Sequence, residues 1–204
     1  MSILNEYGIS NDDVGVFKND NSGFVGVNKN RISSLLYAQL ASASKYRLIN
    51  TFSVTDVIQG LEKVGRVRFT KKESQFKHPP LKGLWKAHYF DASFILKNIS
   101  IEWIKLERKN SKPIKQLDTM INNRSNFTPK SFAAHSADNI VIKGYNNRVN
   151  KKKITGEWLI YGKHKEKNYY LCIAQHSKPG SDDDSQIYNF LRTVCGEEFP
   201  FLFT

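Results

Sequence analysis

Glu157, Tyr170 and His176, close together near the end of the chain, carry side chains suited to cleaving RNA without a metal. Such cleavage needs one group to take the 2′-hydroxyl proton, another to protonate the departing 5′-oxygen, and cations to stabilise charge on the phosphorus. Imidazole, carboxylate and phenol can divide the first two tasks. Lys153 and Lys163 are placed to orient the phosphate, with His176 as acid or base and Glu157 as its partner or the opposing base.

The element that must position them is GEWLIYGKHKEKNYYLCIAQH, residues 156–176, two alternating runs around a lysine-rich turn that read as a β-hairpin. A turn at His164–Lys167 pairs Lys163 with Asn168, Tyr161 with Tyr170, Leu159 with Cys172 and Glu157 with Ala174. Alternation then puts Trp158, Ile160, Tyr169, Leu171 and Ile173 on an apolar face that must lie on helices. Glu157, Tyr161, Tyr170, Cys172 and His176 share the other face, where Glu157 and His176 are diagonal neighbours. A slip of one residue would undo that alignment. The same residues also have a purely structural account: tyrosine is at home in strands, Glu157 fits a rim charge, and His176 can simply end a strand.

A strand, a basic turn, a second aromatic strand and a polar residue at its end resemble the sheet core of bacterial ribonuclease toxins of the barnase, EndoU and RelE-like class. The resemblance covers residues 140–200; the first 130 residues have no counterpart in it, and the chain is much longer than a minimal toxin of that kind. It implies a small antiparallel sheet packed on helices and a metal-independent RNA-cleaving site at Glu157, Tyr170 and His176. A basic toxin would also be expected to have an acidic protein inhibitor or antitoxin.

Charge points the same way. The 204 residues hold 31 Lys plus Arg against 19 Asp plus Glu, a net +12 that attracts polyanions through counterion release. Nucleic acid, RNA above all, is the partner class this implies. Basic stretches recur at 66–77, 105–115, 148–153 and 163–167. Arg148, Lys151, Lys152, Lys153 and Lys163 flank Tyr145, Tyr161 and Tyr170, the combination that stacks bases and contacts phosphates on single strands. His78 and Lys82, four apart at the start of an expected helix, form a second candidate phosphate contact. Solvated lysine surface is the plain alternative for all of these.

Two further readings come from other residues. Asp91 with Glu107 and Lys109 in LERK has the skeleton of a PD-(D/E)xK nuclease, in which carboxylates hold Mg²⁺ and lysine positions the attacking water. A non-catalytic nucleic-acid-binding regulator is the third. No histidine pair has HExxH spacing, and Cys172 and Cys195 follow no CxxC pattern, so neither a metal site, a cofactor nor a disulfide framework is expected. The N-terminus lacks the basic-then-apolar pattern of a signal peptide, and no apolar run approaches the ~18 residues of a membrane span. A reducing cytoplasm fits.

The remaining segments predict an α+β protein of one domain, 1–204, with a mainly helical part at about 30–136 packed on a sheet-bearing part at about 138–204 that ends in a C-terminal helix. Val14 to Val27 reads as a small hairpin about an Asn/Asp/Ser/Gly turn. Helices are expected from Arg31 to about Asn50 and from Ser53, with Asp56 three residues on, to Gly65. HPPLKGLWKAHYFDASFILKNI, opened by Pro79 and Pro80 with Leu81, Leu84 and Trp85 on one face, reads as the strongest helix. Strands at 66–71 and 138–145, helices at 100–109, 112–123 and after Pro129, and a basic loop at 144–153 complete the interior. A helix over Ser185–Val194, stopped by Gly196, precedes an apolar FPFLFT tail expected to dock on the core.

Overall fold

A four-stranded antiparallel sheet, in the order β1-β2-β3-β4, organises the chain: β1 (Ser74–Gln75), β2 (Trp85–Tyr89), β3 (Glu157–His164) and β4 (Lys167–Ala174). The computed structural model describes residues 3–65, 72–91, 157–176 and 182–203. The chain packs as two compact units, Met1–Asp91 with Gly156–Thr204, and Ala92–Thr155; every described residue belongs to the first. With helices α1 (Ile3–Glu6), α2 (Asn11–Asp20), α3 (Ser34–Lys45) and α4 (Phe52–Leu61) and a C-terminal helix (Asp183–Cys195), the class is mixed α+β. The expected elements at 66–71 and throughout 92–155 lie outside the described residues.

Two local expectations are overturned. The hairpin expected over residues 14–27 does not form: Asn11–Asp20 is helical because Ser10 and Asp13 close a reciprocal capping box. The Asp13 amide donates to Ser10 Oγ (3.2 Å), and the Ser10 amide donates to Asp13 Oδ2 (2.8 Å). The second correction matters more for function. Pro79 and Pro80 sit in a turn rather than opening a helix, Gly83 takes a left-handed φ of +101° there, and Trp85–Tyr89 is a strand. Leu81 and Leu84 are buried as the apolar pattern required, but from the turn. WKAHY satisfies an alternating pattern as well as a helical one, and the long partner β3 decides between them: Trp85 pairs with Tyr161, His88 with Trp158 and Tyr89 with Glu157.

Helices α3 and α4 and the C-terminal helix form close to where the sequence places them. Ser33 caps α3 through the Leu36 amide (2.9 Å) and also donates to the Leu171 carbonyl (2.5 Å), so one hydroxyl starts the helix and ties it to β4. The Gln39 side-chain amide then donates to the Ile173 carbonyl (3.1 Å) and accepts from its N–H (2.8 Å), standing in for a strand neighbour along the sheet edge. Helix α4 begins one residue before Ser53, whose hydroxyl donates to the Asn50 carbonyl (2.7 Å), and ends where Lys63 takes φ +59°.

The core joins Trp158, Ile160, Leu171 and Cys172 of the hairpin to Leu35, Leu81, Leu84, and to Leu191 and Cys195 of the C-terminal helix. The apolar tail docks as expected: Phe199 and Phe201 pack against Tyr169, and Phe203 against Tyr188. Burial pushes the thiol of Cys195 up to about 12 and that of Cys172 higher still, so both stay protonated as core residues.

Candidate functional site

The hairpin turn forms as its sequence indicates, with Lys163 opposite Asn168 and Tyr161 opposite Tyr170. Beyond it a bulge between Ile160 and Tyr161 shifts the register, so that Leu159 faces Ile173 rather than Cys172, and Trp158 faces Ala174. That one residue changes the faces. Cys172, expected outside, lies opposite Ile160 in the core, and His176 does not share a face with Tyr170.

Tyr161 and Tyr170 are 0% exposed, so neither offers a ring for base stacking, because the bulge and the helices turn that side of the hairpin inward. The Tyr170 hydroxyl donates to Glu62 Oε1 (2.6 Å), and that of Tyr161 donates to Glu73. Burial first, then these carboxylates, pushes both phenols far above their ordinary range, which leaves Tyr170 a structural donor rather than an acid–base group. Arg31 pairs with the same Glu62, and Asn168 donates to it (3.3 Å). Burial alone would raise the Glu62 carboxyl, but the bonds from Arg31, Tyr170 and Asn168 outweigh it and hold its pKa below the ordinary value.

At the opposite end of the hairpin a different group assembles. His88 Nε2 of β2 lies 3.1 Å from His176 Nε2, so one imidazole donates and the other accepts. The His176 ring also packs on Trp158, centroids 4.4 Å apart, and His88 stands opposite Trp158 across the strand pair. Glu157, 7% exposed, accepts the backbone N–H of His176 through Oε2 (3.0 Å). The sequence therefore brought Glu157 and His176 together correctly, but the carboxylate positions the main chain while the ring turns to the other face. His88 falls within the segment expected to be the strongest helix; only the β2–β3 register brings it to His176.

Asp91, two residues past the end of β2, accepts the Asn50 amide through Oδ2 (2.8 Å). The Tyr89 phenol is pushed up by burial first and then by the charges of Glu157, its partner across the strand pair, and of Asp91, two residues further along. Glu107 and Lys109 of the nuclease-like pattern lie outside the described residues, as do Arg148, Lys151, Lys152 and Lys153. Among the described residues no group of three His, Cys, Asp or Glu side chains is arranged to hold a metal ion.

The cationic candidates divide. Lys163 pairs with Glu73 (3.4 Å) and lies 3.8 Å over the Trp85 ring, so its charge is partly engaged. Lys82 is exposed on the turn before β2, and His78 is exposed beside it rather than at a helix start, because the helix that would have made an anion site there is absent. His78 instead helps line a cleft of about 370 Å³ together with Phe76, Lys77, Lys86, Trp158 and Asp184. No described helix is long and apolar enough to cross a membrane. Compared with known proteins, the chain matches no family model, no curated sequence and no solved structure.

Proposed function

We propose that the protein is a metal-independent, toxin-like ribonuclease whose acid–base groups are His176 and His88. The scaffold of this reading is a mainly helical N-terminal two thirds and a small sheet closed by a C-terminal helix. The observation that carries it is the 3.1 Å imidazole pair at the sheet end of a chain with a net +12. Near neutral pH one imidazole of such a pair holds a proton to give and the other can receive one. The receiving ring takes the 2′-hydroxyl proton as the 2′-oxygen attacks phosphorus; the P–O5′ bond breaks, and the donating ring protonates the departing 5′-oxygen. Glu157 serves as a positioning residue through the His176 amide. The protein would act in the cytoplasm, with RNA as substrate and an acidic protein as its natural inhibitor.

A magnesium-dependent nuclease is the second reading, favoured by the pairing of Glu157 with Tyr89 across the strands and by Asp91 two residues beyond Tyr89. Incubating the purified chain with RNA and DNA, with and without EDTA, separates the possibilities. EDTA-resistant RNA cleavage supports the ribonuclease, EDTA-sensitive DNA cleavage replaces it with the second reading, and salt-dependent binding without cleavage leaves a regulator.

A further inference from the structure

We propose that the cleft between the β1–β2 turn and the start of the C-terminal helix is a nucleotide subsite that reads one base and its phosphate. It rests on the RNA-directed reading above and names the part of the substrate held beside the imidazole pair. Two walls of this cleft, Trp158 and Asp184, each carry a buried polar atom with no partner: the indole Nε1 donor and the carboxylate Oδ1 acceptor. A buried donor or acceptor left unpaired costs on the order of 1–3 kcal/mol, so a native protein retains two in one cleft only where something compensates. A compensating ligand must offer an acceptor to the indole and a donor to the carboxylate. Every RNA base carries that combination on its Watson–Crick edge, with a ring N–H or amino group beside a carbonyl or ring nitrogen.

The surroundings fit the rest of a nucleotide. Lys77 and His78 are exposed on the rim, where a phosphate would stay partly hydrated. Lys86 Nζ lies 4.0 Å over the Trp158 ring and 4.4 Å over that of Phe76, adding positive charge within the cleft. The volume of about 370 Å³ suits one nucleotide rather than a helix or a duplex groove. Because Trp158 also packs on His176, a base read in the cleft places the adjoining phosphodiester toward the imidazole pair.

The test is equilibrium dialysis of the full chain against the four ribonucleoside 5′-monophosphates, ribose 5-phosphate and inorganic phosphate. None contains a phosphodiester, so binding is read apart from cleavage. At least one monophosphate should bind about tenfold or more tightly than ribose 5-phosphate, and Asp184→Ala and Trp158→Phe, which delete the acceptor and the donor, should each remove about that advantage while thermal unfolding shows a folded protein. Lys77→Ala should weaken nucleotide and phosphate alike. Ribose 5-phosphate binding as tightly as every nucleotide, or folded Asp184→Ala and Trp158→Phe proteins that both bind like the parent, overturns the subsite. Nucleotide binding by a protein that leaves RNA intact upholds the subsite and removes the ribonuclease reading. RNA cleavage with an unchanged KM in Asp184→Ala does the reverse.

Discussion

The two ends of the β3–β4 hairpin spend their polar groups in opposite ways. At the turn end, Glu62 collects Arg31, Tyr170 and Asn168, and Glu73 collects Tyr161 and Lys163. These are ion pairs and hydrogen bonds that stitch α4 and the segment before β1 to the sheet. At the open end the pairing is between two imidazoles, and the neighbouring cleft holds an indole N–H and a carboxylate oxygen without partners. The same strands thus carry a network closed on itself and a group whose bonds suit proton transfer or a ligand. Residue type did not separate them, since both ends offer Glu, Tyr and basic residues; the connectivity did.

That contrast breaks most visibly at Glu62. Glu62→Ala strands the Arg31 charge, whose side chain is only 15% exposed, and should cost about 3–5 kcal/mol in denaturant unfolding while leaving RNA binding intact. A loss of binding at parental stability would mean the turn end is functional. The pH dependence has a definite sign. Because the folded Glu62 pKa lies below its ordinary value, its contribution is full above the ordinary carboxylate range and fades as pH falls through the folded pKa. Acid unfolding of Glu62→Gln should therefore lack that component.

At the open end, His176→Ala and His88→Ala should each lower RNA cleavage by ~10²–10⁴-fold with binding retained, measured in single-turnover assays. Unchanged rates would assign the pair to packing. Glu157 sharpens the point: Glu157→Gln keeps an acceptor for the His176 amide and should preserve most activity, whereas Glu157→Ala should lower kcat with little change in KM. Equal losses in the two would make the carboxylate itself a proton carrier.

Smaller effects test what holds the hairpin in place. Gln39→Ala removes both bonds to Ile173 and should cost roughly 1–3 kcal/mol, with faster amide exchange along β4. Ser10→Ala, remote from both ends, should cost ~1 kcal/mol through the lost cap of α2 and leave cleavage unchanged.

Local signals in the sequence were legible where the competing structures were few. The turn at 164–167, the C-terminal helix with its acidic first turn, α3 and the docking of the FPFLFT tail all follow from neighbours within a few positions. Glu157 and His176 do meet, but through the His176 amide rather than its ring, and in a register one residue away from the expected one. Reading failed where two periods fitted equally well, as in WKAHY and in residues 14–27, and where one inserted residue changed a face. His88 was passed over because its partner lies 88 positions away. The only signal that could have found it was the alternation of Lys86 and His88 with Ala87 and Tyr89, read as a strand.

From the chain alone came a basic α+β protein with a lysine-turned hairpin, because charge sums without regard to folding and a tight turn depends on adjacent residues. The tertiary structure alone decided which imidazole meets His176, that both tyrosines are buried, and that Trp158 and Asp184 share a cleft. Those outcomes depend on register between strands distant in sequence, where a single bulge exchanges inside for outside.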